Sequence, residues 1–219
     1  VITLAMILVV GVIEVSAVKV GRFGCTDILV GKQATVDGST IGTYTCDGAL
    51  YAKIRVVPAQ NFKRGTMMPI WYRPFPFSYQ QYLDYLENPV LIGYIPQVRH
   101  TYRYVSIEVW YDDQRVGGIN EYGLTTGETT IGGRYDLINT KGLLFAYTNI
   151  REASLLTLAL ERAKTAREAI QVMGALAEEY GYGQPYGEHI TVSDGNEVWA
   201  FEIFGPGSNW EPGSGKPGA

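Results

Sequence analysis

The chain has 219 residues, of which 46% are hydrophobic and 18% are charged, and its formal net charge is −4. This length is enough for one large globular domain with a sizeable core. The mild negative charge, without a Lys/Arg cluster in the sequence, excludes the basic face that binding to nucleic acid requires.

The first 24 residues are predicted to be a leader rather than part of the fold. Residues 1–13 are almost wholly apolar, and Glu14 then interrupts the run. This run is shorter than the ~20 residues that a transmembrane helix needs. It is typical of a signal peptide, with the small residues Ser16 and Ala17 near a possible cleavage point, although a buried strand or helix is the alternative. We therefore expect an exported protein without a stable membrane span.

The next part of the chain carries two strand signals. Residues 25–31 form a short strand pattern that ends at glycine, and the Asp37–Gly38 pair indicates a tight turn. Residues 51–57 are predicted as another strand. Residues 62–96 are rich in proline and aromatic side chains without a clear period, so we predict a long surface excursion there.

Strand signals return in the second half. Residues 101–111 are predicted as a strand, and a turn at 120–123 is predicted to lead into a further strand in a glycine-rich segment. Residues 189–194 and 197–203 are predicted to form a hairpin.

Two helices are predicted between these strands. The first covers 154–163, and the second opens with a capping box in which Thr165 precedes Glu168 by three residues. Gly181 is the predicted C-cap of the second helix. Strands, then a helix pair, then more strands indicate a layered α+β architecture.

Several well-known motifs are absent. The run ending at Lys216 resembles a phosphate-binding loop, but Pro217 stands where Ser or Thr would bind magnesium. The sequence has neither a His-Glu-x-x-His zinc motif nor a Gly-x-Ser-x-Gly elbow. The two histidines, His100 and His189, are isolated from each other, so we predict no metal site and no cofactor.

The two cysteines, Cys25 and Cys46, leave two interpretations open. In an exported protein the default interpretation of such a pair is one disulfide. Alternatively, Cys25 is a nucleophile at the N-terminus of the mature chain. A thiol with a pKa of about 8.5 is mostly protonated at neutral pH, and a free α-amine with a pKa of about 7.7–8.0 can act as its base.

Five segments, in order along the chain, resemble the mature PepD-like dipeptidases of the N-terminal-nucleophile hydrolase superfamily. They are CTDILVGKQATVDGST at 25–40, IPQVRHTY at 95–102, Asn120-Glu together with GETTIGGR at 127–134, ALERAKTAREAI at 159–170, and DGNEVW at 194–199. The resemblance implies a four-layer αββα sandwich and cleavage of dipeptides or other short peptides without a metal. It also implies that residues 25–219 are the N-terminal part of a longer catalytic domain, so the sandwich is expected to be incomplete in this sequence.

The resemblance assigns three catalytic roles. Cys25 falls on the family nucleophile, and Asp47 matches an acidic residue that helps to place the amine and the nucleophile. Asn120 matches an asparagine whose amide contributes to the oxyanion site. One departure is that many members carry an arginine shortly before the acidic residue, whereas this chain has TYTC at 43–46.

Two charged residues are candidates for substrate binding. Glu128 and Arg134 are predicted to hold the ammonium and carboxylate ends of a short peptide, with a structural ion pair or surface charge as the alternative. The predicted function is that of a cysteine dipeptidase. A penicillin or bile-salt acylase of the same fold and a non-catalytic, β-rich secreted binding protein held by a Cys25–Cys46 disulfide are the alternatives.

Overall fold

The structure is a computed structural model. It describes residues 24–46, 52–72, 80, 83–84, 87–109, 114–146 and 154–219. Residues 1–23 of the predicted leader lie outside this described part of the chain.

The described residues form twelve strands, numbered in chain order. They are β1 (Cys25–Val30), β2 (Ile41–Cys46), β3 (Lys53–Val57), β4 (Gln60–Asn61), β5 (Met67–Tyr72), β6 (Val90–Pro96), β7 (His100–Thr101), β8 (Tyr104–Val109), β9 (Gln114–Asn120), β10 (Thr125–Ile131), β11 (Gly187–Ser193) and β12 (Val198–Ile203). The central sheet has six strands in the order β12-β11-β10-β9-β8-β3, and all its pairings are antiparallel. Three further pairs, β1 with β2, β4 with β7 and β5 with β6, are two-stranded and antiparallel.

In the part of the chain between β10 and β11 that the structure describes, there are two α-helices: α1 (Leu155–Arg162) and α2 (Ala166–Tyr180). The N-cap of α2 is Thr165, whose hydroxyl accepts the Glu168 N–H at 3.2 Å, as the capping box predicts. The Glu168 carboxylate reaches back to the N–H of Lys164. Gly181 ends the helix with φ +80°, a conformation that glycine adopts without steric cost. Neither helix is both long enough and apolar enough to cross a bilayer, and the same holds for every helix in the described ranges.

The two faces of the central sheet have different neighbours. Ile190 and Val192 of β11 point into the core that the helices cover, as the alternation of side chains along a strand requires. The intervening residues of β11 point the other way, towards the β1–β2 hairpin. His189 lies near Asp27 of β1, and an added Cβ at Gly42 of β2 would lie 2.9 Å from the Ser193 hydroxyl. The fold is therefore of the α+β class, with helices on one face and a hairpin on the other.

The hairpin covers only part of its face. Beside it, an open groove is lined by residues of β2, β3, β8, β9, β10 and β11. The apolar side chains next to this groove are exposed by 78% at Ile54, 63% at Val56, 38% at Ile107 and 44% at Ile119. We call these four residues the open apolar face.

One expectation from the sequence is wrong. Residues 62–96 are not only an irregular excursion, because β5 and β6 pair within them and bury Ile70 and Ile95 completely. Met68 and Ile70 follow the two-residue period of a strand, but Pro69 and the surrounding aromatic residues hide that period in the sequence. The predicted strand at 101–111 is interrupted, so that β7 and β8 are separate strands.

Candidate active site

Cys25 is the first residue of β1 and the register partner of Cys46, the last residue of β2. Both thiols are free, and they lie within hydrogen-bond reach of each other. Burial raises the pKa of Cys25 to about 12, and the charges of the nearby Cys46 and Glu128 raise it further. The backbone N–H of Thr130 acts in the opposite direction: it donates a hydrogen bond to the sulfur and so lowers the pKa. The thiol is therefore protonated at neutral pH, and a base must take its proton before the sulfur can attack a carbonyl.

Near Cys25, the edge of β10 that faces β9 is partly unpaired within the described residues, and β2 packs against this part of the strand. β10 pairs with β11 over its whole length, whereas β9 pairs with it only at Thr125 and Thr126 within the described residues. The next residue of β10 is Gly127, which has no side chain. A Cβ added there would lie 2.8 Å from the Cβ of Tyr44. The missing side chain allows β2 to pack closely on β10.

A buried hydrogen-bond network continues from Tyr44. Its hydroxyl donates to Glu128 Oε1 at 2.8 Å. On the neighbouring strand, Glu188 Oε1 accepts from Thr130 Oγ1 at 3.1 Å and from Gln184 Nε2 at 2.6 Å. Glu128 is 2% exposed and Glu188 is 0% exposed. The network thus lies inside the protein, beside the candidate nucleophile.

Glu128 and Glu188 form a pair of buried carboxyl groups. Each has a buried Oε2 atom without a hydrogen-bond partner, and the two carboxyl groups are close enough that each shifts the pKa of the other. Two carboxyl groups can form a hydrogen bond only if one of them is protonated. Burial raises the pKa of Glu188 to about 10, and the charge of Glu128 contributes to this rise. Burial also raises the pKa of Glu128, to about 7, although hydrogen bonds from Glu188 and Tyr44 lower it. Of the two carboxyl groups, Glu188 therefore keeps its proton to the higher pH.

A second contact fixes β1 on the sheet. Asp27, two residues after Cys25, accepts a hydrogen bond from Thr129 Oγ1 at 2.9 Å, and His189 Nε2 lies 3.9 Å from the same Oδ2 atom. Burial raises the pKa of Asp27, while Thr129 and His189 lower it. The contact anchors the strand that carries Cys25.

The structure does not bring Asn120 to Cys25. The Asn120 side chain donates both N–H groups to backbone carbonyls, of Leu160 at 2.9 Å and Ala163 at 2.8 Å. Asn120 lies at the turn before β10, which starts at Thr125, whereas Cys25 lies near Thr130, about 17 Å further along the strand at ~3.3 Å per residue. The amide has no N–H left for the oxyanion that the resemblance assigns to it. Asp47 follows Cys46 directly but lies outside the described residues.

The two predicted substrate-binding residues are in different environments. The structure buries the Glu128 carboxylate in the network described above. Arg134 is exposed and forms a two-point ion pair with Asp136, with Nε at 2.9 Å and Nη2 at 2.5 Å from the two carboxylate oxygens. The alternative of a structural ion pair thus describes the contact that Arg134 makes.

Sequence reasoning missed Tyr44, Thr130, Gln184 and Glu188. A signal existed for Glu188, because it shares the face of β11 with the buried Ile190 and Val192. A carboxyl group in the core-facing phase of a strand is rare unless it is paired or functional.

Comparison with known proteins identifies the family of this chain. The family model described as Peptidase family C69 matches residues 24–212. The chain belongs to this family. A probable dipeptidase A of Streptococcus pyogenes serotype M18 (strain MGAS8232) is 29% identical over 197 residues, which cover 88% of this chain and 37% of the relative. A dipeptidase of Bifidobacterium longum (strain NCC 2705) is 29% identical over 202 residues, covering 85% and 34%.

A third member of this set is a probable dipeptidase B of Lactococcus lactis subsp. lactis (strain IL1403). It is 28% identical over 193 residues, covering 85% of this chain and 35% of the relative. The chain therefore spans slightly more than a third of the length of these relatives. The C69 match begins at Gly24, the residue before Cys25.

Proposed function

We propose that this chain is part of a dipeptidase in which Cys25 is the nucleophile and its own α-amine is the general base. The observation that carries the proposal is the position of Cys25, which starts β1 beside an open strand edge in a chain of peptidase family C69. The curated relatives named above are dipeptidases, and the family match starts next to this residue.

The environment of the thiol explains why a base is needed. The raised pKa of Cys25 makes loss of its proton to water unfavourable at neutral pH. Once the Gly24–Cys25 bond is cleaved, the free α-amine lies on the same residue, and its usual pKa is about 7.7–8.0. The amine accepts the thiol proton, and the sulfur attacks the scissile carbonyl. The ammonium then protonates the leaving amine, the C–N bond breaks, and water hydrolyses the thioester with the amine again as base.

The neighbouring acids fit this scheme. The Glu128–Glu188 pair carries one negative charge when Glu188 is protonated and Glu128 is ionised, and a negative charge near Cys25 favours the ammonium form of its α-amine. Asp47 is proposed to place the same amine, because it directly follows the register partner of Cys25. We do not propose Asn120 as the donor to the oxyanion, because both of its side-chain N–H groups donate to backbone carbonyls.

We further propose that the complete fold is a four-layer αββα sandwich of the N-terminal-nucleophile type. A helix layer, a six-stranded sheet and a hairpin on the opposite face of that sheet are the first parts of such a sandwich. The open apolar face beside the hairpin offers the surface on which the rest of a second sheet would pack. The export of the protein and the removal of residues 1–24 as a leader belong to the same proposal.

The test uses the full-length protein, expressed with export and purified in its mature form. We expect intact-mass analysis to show a chain beginning at Cys25, and we expect it to release amino acids from Ala-Ala. The Cys25→Ala variant should lose this activity, whereas Cys46→Ala, the matched cysteine change, should keep it. An active protein whose residue 25 is still joined to Gly24 would contradict the mechanism, and hydrolysis of penicillin V but not of Ala-Ala would favour the acylase alternative.

A further inference from the structure

A cavity of about 190 Å³ lies where β10 and β12 end and β11 begins. A short 3₁₀ helix (Tyr135–Leu137) closes one side of it. Aromatic and aliphatic groups form much of its wall, with Gln184 as a buried polar residue. The wall includes the side chains of Tyr135, Leu137, Ile138, Gln184, Tyr186 and Phe204.

The cavity is at the same end of β10 as the candidate nucleophile. Thr130 donates its N–H to the Cys25 sulfur, and Gly132, which lines the cavity, follows two residues later, or about 7 Å along an extended chain. The buried network also connects the two places, because Thr130 and Gln184 both donate to Glu188. The cavity is therefore a neighbour of Cys25 along β10.

The size and chemistry of the cavity select the group that it can hold. An apolar cavity of about 150 Å³ is large enough to bind benzene. The rings of Tyr135, Tyr186 and Phe204 provide faces and edges against which another aromatic ring packs favourably. Tyr135 is 90% exposed, so a bound ring would remove apolar surface of this residue from water.

The charge on the rim indicates which end of the substrate lies there. Arg134 lines the cavity, and Asp136 occupies its Nε and one N–H of Nη2. A guanidinium has five N–H groups, so others remain for a second carboxylate. Arg134 is the one charged side chain among the described residues that line the cavity, and its free N–H groups suit a carboxylate rather than an ammonium group.

We propose that this cavity binds an aromatic side chain at the C-terminal position of the substrate, with the α-carboxylate of that residue at Arg134. The inference rests on the proposed dipeptidase function and adds its substrate class. The enzyme would then cleave dipeptides such as Ala-Phe better than Ala-Ala or Phe-Ala.

Gly132 allows the cavity to be filled without disturbing the fold. A Cβ added at Gly132 meets no atom within 4 Å, and this glycine is not among those with positive φ. A Cβ at Gly133, in contrast, would lie 2.6 Å from the Phe204 ring. Gly174 in α2 also has open space around an added Cβ, so Gly174→Leu is a matched control outside the cavity.

The experiment measures kcat/KM of the mature full-length enzyme for Ala-Phe, Phe-Ala and Ala-Ala. We expect the wild type to prefer Ala-Phe, and we expect Gly132→Leu to lower kcat/KM for Ala-Phe by about tenfold or more. The same variant should lower kcat/KM for Ala-Ala much less than for Ala-Phe, and Gly174→Leu, outside the cavity, should leave all three unchanged. Equal loss for all three substrates in Gly132→Leu, or a preference for Phe-Ala, would overturn the assignment while leaving the dipeptidase function intact.

A binding measurement separates the cavity from the chemistry. Calorimetric titration of the Cys25→Ala protein with Ala-Phe should show binding that is lost in the Cys25→Ala, Gly132→Leu double variant. If the wild type cleaves no dipeptide but this binding pattern holds, the proposed function fails and the cavity assignment stands. Absence of Ala-Phe binding to Cys25→Ala would overturn the cavity assignment.

Discussion

At the scale of single residues, the Cys25 thiol is controlled by what surrounds it. Cys46 raises the pKa of Cys25 through its charge and its hydrogen bond, after the larger effect of burial. We therefore expect Cys46→Ala to lower the pKa of Cys25, so that alkylation of Cys25 by iodoacetamide begins at a lower pH. The measurement is the alkylation rate of Cys25 against pH, followed by peptide mass analysis. An unchanged profile would show that Cys46 does not act on the nucleophile.

The acid pair gives a prediction for stability against pH. The pKa of Glu188 is raised in the folded protein from 4.5 to about 10, so the folded state holds a proton that the unfolded chain loses in this range. Its favourable contribution is fully present below pH 4.5 and decreases as the pH rises towards about 10. Glu188→Gln keeps a donor for Glu128 and an acceptor for Gln184 but does not titrate.

The Tm difference between Glu188→Gln and the wild type should consequently grow in favour of the variant as the pH rises through this interval. Thermal unfolding followed by circular dichroism at several pH values measures it. Glu211→Gln, which changes an exposed carboxylate, is the control. A difference that stays constant with pH would mean that Glu188 is not protonated in the fold.

At the scale of elements, Asn120 connects a turn to a helix end. Its Oδ1 accepts the N–H groups of Tyr122 and Leu124, and its amide donates to two carbonyls near the end of α1. Asn120→Ala leaves these buried backbone groups without partners, and we expect a loss of about 3 kcal/mol in the free energy of unfolding. Urea denaturation measures the loss, and Asn196→Ala in an exposed turn is the control. A stable but inactive Asn120→Ala enzyme would favour the oxyanion role over this structural one.

The same elements show how far the sequence could predict the fold. Three local features could be predicted from the sequence: the turn before β10, the N-cap at Thr165 and the end of α2 at Gly181. Each depends on residues only a few positions apart in the chain, so a short sequence pattern is enough to predict it. The pairing of Glu128 with Glu188 depends instead on the register of β10 against β11, 60 positions apart in the chain. No local pattern specifies that register, and the site beyond Cys25 could not be assembled from sequence alone.

At the scale of the whole molecule, the open apolar face is the feature that the described residues leave uncovered. Ile54 and Ile107 are direct cross-strand partners on β3 and β8, and they are 78% and 38% exposed. Large exposed apolar surfaces of this kind are typical of contact sites. In a protein as long as the relatives, a second sheet packed here would bury them.

We therefore expect Ile54→Lys to have opposite effects in two contexts. In the 219-residue chain it should reduce self-association, measured by sedimentation velocity, because a charge replaces apolar surface that water contacts. In the full-length protein it should lower the urea midpoint, because burying an unpaired lysine is costly. Val36→Lys, at a fully exposed turn position outside the face, should leave the full-length midpoint unchanged. A full-length protein that tolerates Ile54→Lys as well as Val36→Lys would show that this face stays in water, and the four-layer sandwich would lose its main support.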